Sequence, residues 1–391
     1  MRISPVWPSR TDAVTPAARR VPVINGLRGV AIIAVVYFHV VSGIWSPATV
    51  PPLWISPLLI NGWTGVNLFF ILSGFVLFLP FAADSPPMFA FPDRLRFYRR
   101  RALRLLPLFY VAVLLEWAFA ALRGTTGPGE LFAVLSLRLI IDPASFFPSF
   151  NGPLWSIGVE IAFSALFPML VLAGRRFGMI RLTAFALAVA LAFRLLGDAR
   201  FPGAAGISFN TDMFLCRLDE FVLGMLAARL YVARCLPRRP GLCLWAWVAL
   251  IVLAWTGFDM TTRHLLPVVA RAGLNDVLDA GFFGLLLAAL VPGTALARAL
   301  SWRPFQLLGM MCYSIYIWHW PLLAWLMPDR ATMPAGRFVA ALIVYLAVTL
   351  AIAVLSYRFI EFGRIRAWRP LFLLDPPVRA APLPASRITP E

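Results

Sequence analysis

Residues 21–44 read VPVINGLRGVAIIAVVYFHVVSGI. The run is long enough to cross a bilayer core, which takes about 20 mostly apolar residues. It also holds two ionisable side chains, Arg28 and His39. Such groups inside a span cost at least about 2.5 kcal/mol each on insertion scales, so they mark places to look for function. Eleven residues separate them. At 3.6 residues per turn that is almost three whole turns, so both lie on one helix face, about 16 Å apart in depth. The neighbouring Gly26 and Gly29 are expected to let a ligand approach the backbone.

The rest of the chain has the same character. Of its 391 residues, 61% are hydrophobic and 14% charged, against about 45–50% and about 25% in soluble domains. This excludes a soluble globular enzyme and an ordinary nucleic-acid binder. Nine more apolar segments follow, at 62–83, 102–122, 155–173, 181–196, 213–233, 242–258, 277–296, 306–326 and 337–360. The expected fold is all-α, a polytopic membrane protein with ten transmembrane helices. The stretch 131–141 is apolar but contains Arg138, and reads as an interfacial or re-entrant piece. No internal repeat is visible. Residues 1–20 and 363–391 read as flexible tails around a membrane domain at 21–362, with no cleavable signal peptide. The four cysteines form no C-x-x-C pair. That argues against a zinc site, a redox motif or a disulfide framework, and no metal is expected.

The net charge is +17, and all 35 basic residues are Arg. Short cytoplasmic loops carry excess positive charge. With the N-terminus inside, 25 arginines fall in cytoplasmic segments and eight in outer ones, leaving Arg28 and Arg217 within spans. Both termini are therefore expected in the cytoplasm.

Other constellations follow the first span. Arg94-Leu-Arg-Phe-Tyr-Arg-Arg-Arg101-Ala-Leu-Arg104 runs into the third segment. Arg101 and Arg104 are i,i+3 neighbours on one face. Guanidinium forks match phosphate oxygens, and anionic lipid heads are the alternative ligand. The fourth segment opens Leu154-Trp-Ser156-Ile-Gly-Val-Glu160, and the ninth carries Tyr313-Ser314-Ile-Tyr316-Ile-Trp-His319. Depth counting puts His39, Glu160 and His319 together in the outer half. A structural ion pair of Glu160 with Arg217 is the plainer reading. Arg217, Asp219 and Glu220 suggest a structural or substrate-lining network, and Glu116 lies in the outer half of the third segment. This polarity suggests an anionic donor held from the cytoplasm and an acceptor arriving from the other face. A transporter or flippase of lipid-linked saccharides is the competing class, but such folds often show repeats and broken helix pairs.

These residues give the chain its family resemblance. It resembles the bacterial membrane acyltransferase-3 family, which O-acylates cell-envelope glycans, nodulation factors or macrolides. The likeness spans about residues 22–362. It covers Arg-x10-His at Arg28 and His39, the run Val66 to Phe75, Arg-x-x-Arg at Arg101 and Arg104, Leu154 to Glu160, Tyr313 to His319, and Tyr357-Arg358-x-x-Glu361. The fourth-segment motif has one residue fewer than usual before Glu160, and the usual Pro after Glu361 is absent. The resemblance implies a ten-helix enzyme of the bacterial cytoplasmic (inner) membrane. It moves an acyl group from acyl-CoA, acetyl-CoA above all, to a hydroxyl of a glycan or lipid-linked saccharide. It implies Arg28, Arg101 and Arg104 on the donor phosphates and His39 as general base. Glu160 or Ser314 would orient that base, with Tyr316 and His319 near the acceptor.

Overall fold

The computed structural model describes residues 21–42, 44, 52, 55–82, 91–200 and 208–361. The expected tails at 1–20 and 363–391 lie outside these residues. Among the described residues all regular structure is helical. The principal helices are α1 (Pro22–Ser42), α2 (Gly65–Ala82), α3 (Phe91–Leu122), α4 (Leu154–Phe177), α5 (Met179–Arg200) and α6 (Leu218–Val232). They continue with α7 (Pro240–Thr262), α8 (Ala270–Ala289), α9 (Arg303–Met310), α10 (Cys312–Leu326) and α11 (Ala335–Ser356).

Eight of these helices are long and apolar enough to cross a membrane, and α9 with α10, bent by 75°, adds a ninth if the pair is one span. The expected segment 213–233 is different. It is a 3₁₀ turn, Phe214–Arg217, followed by the 15-residue α6. At 1.5 Å per residue α6 is about 22 Å long, short of a full hydrocarbon core. It also opens with Asp219 and Glu220. The expected count of ten rests on this short helix, which is buried inside the bundle rather than turned to lipid. The short-looking fifth and seventh segments are full helices of 22 and 23 residues. The stretch 131–141 forms a helix, Pro128–Leu135, and a 3₁₀ turn, Arg138–Ile140.

Small residues set the closest helix approaches, as expected where lipid supplies no hydrophobic drive between helices. A Cβ on Gly224 would lie 1.9 Å from the Ile71 carbonyl oxygen, and one on Gly74 would lie 2.0 Å from that of Phe221. Helices α2 and α6 therefore touch backbone to backbone. Helix α1 meets α9 in the same way: a Cβ on Gly29 would lie 2.1 Å from the Phe305 oxygen. Space beside Gly26 and Gly29 is thus filled by the chain itself, at Leu300 and Phe305, and not left for a ligand.

A cluster of charges inside the bundle is paired. Arg194 Nη1 lies 3.0 Å from Asp219 and 2.8 Å from Asp276. Arg217 pairs with Glu220 at 2.6 Å and also with Asp212. The Asn67 amide donates to Glu220 at 3.0 Å and to Asp279 at 3.1 Å. This network ties α2, α5, α6 and α8 together. Arg194 is 1% exposed within α5. Arg217 is taken by the network and does not reach Glu160.

Candidate active site

Helix α1 carries the site along one face. At the Arg28 end, Arg28, Arg101, Arg104, Glu160, Ser156 and Tyr316 line a cavity of about 130 Å³ between α1, α2, α3, α4 and α10. Helix α3 brings Arg101 and Arg104 there because the basic run belongs to the same 32-residue helix as the apolar segment after it. Arg101 pairs with Glu160, and its Nε donates to Ser164 at 3.0 Å. Arg104 pairs with Glu361, which also accepts from Ser314 Oγ at 2.8 Å. Arg28 has no carboxylate within ion-pair distance among the described residues. Of the three guanidinium groups in the cavity, Arg28 is therefore the one outside an ion pair among the described residues.

At the other end of the face the two histidines meet. His319 Nε2 lies 3.2 Å from His39 Nδ1, and the ring centroids are 4.9 Å apart. The surrounding carbonyls assign the tautomers, since an oxygen there can only accept. His39 Nδ1 is 2.9 Å from the Val35 oxygen, so it carries the proton. His319 Nδ1 is 2.5 Å from the Tyr316 oxygen, so it carries the proton too. His319 Nε2 is then an acceptor facing the His39 Nδ1–H. His39 Nε2 is left as a lone pair. Trp320 stands edge-on to the His39 ring at 5.0 Å, and Tyr345 donates to the His319 carbonyl at 3.1 Å. His319 is fully buried, and His39 is half-buried.

Tyr316 separates the two ends. Its ring is 5.4 Å from that of His319, while its hydroxyl lies 2.6 Å from Ser156 Oγ in the cavity wall.

The expected residues thus divide into two groups. His39 and His319 come together. Glu160 does not join them: it faces Arg101 in the cavity with Arg28, because α4 runs alongside the basic face of α3. Ser314 is bound to Glu361, so it does not orient His39. Glu116 is 1% exposed and accepts from the Asn151 amide at 2.9 Å. That amide also donates to the Ile317 carbonyl at 3.2 Å, tying α3 to α10. Sequence reasoning missed the roles of Glu361 and Trp320. Glu361 stood in a recognised motif, but nothing local links it to Arg104, 257 positions earlier.

The family model for the acyltransferase domain, acyltransferase-3, matches residues 21–358. The chain belongs to this family of membrane acyltransferases. Among individual relatives it is 25% identical over 367 residues to the peptidoglycan O-acetyltransferase OatA of Listeria monocytogenes, covering 87% of this chain and 55% of the relative. It is 27% identical over 371 residues to the putative peptidoglycan O-acetyltransferase YrhL of Bacillus subtilis, covering 88% and 54%. It is 24% identical over 375 residues to the O-acetyltransferase OatA of Staphylococcus aureus, covering 88% and 57%. The chain therefore spans a little over half the length of these relatives. No solved structure matches it.

Proposed function

We infer that this chain is a membrane O-acetyltransferase that takes its acyl group from acyl-CoA. The observation that carries the reading is the single face of α1. A guanidinium outside any ion pair among the described residues lies at one end and an imidazole with a free lone pair at the other, about 16 Å apart by helix rise. The phosphate-bearing donor enters at the Arg28 end. Arg101 and Arg104, held by Glu160 and Glu361, exchange those carboxylates for donor oxygens as it arrives.

The acceptor hydroxyl approaches from the His39 end. His39 Nε2 takes its proton as general base. The oxygen attacks the thioester carbonyl carbon. As the C–O bond forms and the C–S bond breaks, the CoA sulfur leaves with the electron pair and receives the proton from His39. His319 holds the Nδ1–H of His39, which keeps Nε2 turned to the substrate, as the partner of a catalytic histidine does elsewhere. The buried position limits competing hydrolysis of the thioester.

The acceptor we assign is a hydroxyl of a cell-envelope glycan, because two of the relatives are named for peptidoglycan. The arginine distribution puts both termini in the cytoplasm and the Arg28 end at the inner surface of the bacterial cytoplasmic membrane. The test uses membranes carrying wild type or His39→Ala, supplied with labelled acetyl-CoA and envelope glycan. Label should reach the glycan with wild type alone. Equal labelling by a normally inserted variant would end the assignment.

A further inference from the structure

Ser156 and Tyr316 stand in the cavity wall beside the histidines, and the scheme above gives their hydroxyls no task. They are 2.6 Å apart, and each lies 3.1 Å from the Pro153 carbonyl oxygen. Two hydroxyls bring two protons. One makes the bond between them, and the other goes to the Pro153 carbonyl. That carbonyl already accepts the Ser156 backbone N–H at 3.2 Å. The second hydroxyl proton can therefore turn to another acceptor without leaving a buried carbonyl unpaired. Losing that last partner would cost about 1–3 kcal/mol, and here the backbone N–H prevents the loss.

The surroundings suit a carbonyl ligand. Both residues are buried, at 4% and 6% exposure, and both line the cavity. Phe69 and Phe70 line it with them, and Phe69 stands edge-on to the Tyr316 ring at 6.3 Å. A hydroxyl proton fixed in this wall is a preorganised donor for charge that develops on a ligand oxygen. Tyr316 also supplies the carbonyl that fixes His319 Nδ1–H at 2.5 Å. One member of each pair, Tyr316 and His319, thus stands on the same turn of α10.

We propose that the Ser156–Tyr316 hydroxyl pair receives the acyl carbonyl oxygen of the donor thioester and stabilises the oxyanion formed on it. This rests on the acyl-CoA reading above. As the acceptor oxygen bonds to the carbonyl carbon, the C=O electron pair moves onto oxygen and meets the hydroxyl proton as a hydrogen bond. No proton is transferred there. When the C=O bond reforms, the C–S bond breaks and sulfur leaves with its electrons.

The test compares two unreactive thioethers binding to the purified full chain. S-acetonyl-CoA keeps a carbonyl, and S-propyl-CoA has the same length without one. Wild type should bind S-acetonyl-CoA about 10-fold more tightly, the worth of one buried hydrogen bond. Ser156→Ala and Tyr316→Phe should each lose that preference while binding S-propyl-CoA as wild type does, which also shows that they are folded. With acetyl-CoA they should lose about 10²-fold in kcat with KM little changed. Tyr316→Phe removes a single oxygen and carries the test alone if Ser156→Ala does not accumulate. Equal binding of both thioethers by wild type overturns this inference and leaves the donor reading standing. Binding of neither overturns both.

Discussion

His319 Nε2 accepts from His39 Nδ1 at 3.2 Å across the contact of α1 with α10. The bond joins residues 280 positions apart and fixes which nitrogen of His39 is free. On this geometry the two histidines have unequal tasks. His39→Ala should lower acyl transfer by about 10²–10⁴-fold, the usual worth of a general base. His319→Phe should lower it less, because Val35 still holds the His39 Nδ1–H. Initial rates with labelled acetyl-CoA, at matched protein amounts in the membrane, check the order.

Arg28 differs from Arg101 and Arg104 in having no carboxylate within ion-pair distance among the described residues. Arg28→Ala should raise the donor KM with little change in kcat. Glu160→Gln should do the reverse to KM, lowering it, because Arg101 then no longer leaves a carboxylate to meet the donor. Steady-state kinetics on both variants test the pair of opposite shifts.

Arg194 sits within 4 Å of four carboxylates, those of Asp219, Glu220, Asp276 and Asp279. Removing one partner from a buried ion pair costs about 3–5 kcal/mol, because it strands the others. Arg194→Met should therefore accumulate poorly and melt early in detergent. Arg176→Met, on an exposed residue in the last turn of α4, should melt as wild type does.

The α2–α6 contact leaves no room for a side chain at Gly224. Gly224→Ala would press a methyl into the Ile71 carbonyl and force the backbones apart. Overpacking of this kind costs about 1–3 kcal/mol. The expected result is a lower melting temperature with the spectrum of a helical protein retained. Gly336→Ala, where a Cβ meets nothing within 4 Å, is the control.

Glu130 gives a pH-dependent clasp outside the long helices. Burial raises its pKa, but bonds from Thr126 and from the Ser149 backbone and side chain outweigh this and hold it below the usual carboxylate value. A group with a depressed folded pKa contributes stability above its unfolded pKa, and that contribution is lost as pH falls through the folded value. The segment between Thr126 and Ser149 should thus be closed at neutral pH and open to proteolysis only once the pH has fallen below the ordinary Glu range of about 4.3 and through the depressed folded value. In Glu130→Gln the segment should be cleaved at neutral pH as well. Limited proteolysis across the pH range reads both.

The sequence by itself determined the class of this protein. Hydropathy and length are local properties, so apolar runs such as 21–44 and 337–360 were readable without partners. The shared face of Arg28 and His39 was also legible, because helical period fixes it. The tertiary structure decided which groups meet. Depth counting placed Glu160 beside His39, but depth along a span says nothing of lateral neighbours, and α4 turns Glu160 to Arg101. Ser314 likewise faces Glu361 and not His39. The glycines of α1 looked like room for a ligand, and the backbone of Leu300 and Phe305 occupies it. Helix α6 was read as an ordinary span, yet its short length and acidic start make sense only inside a network that also needs Arg194 and Asp279. Pairings between distant helices depend on packing angles that one-dimensional periodicity does not contain.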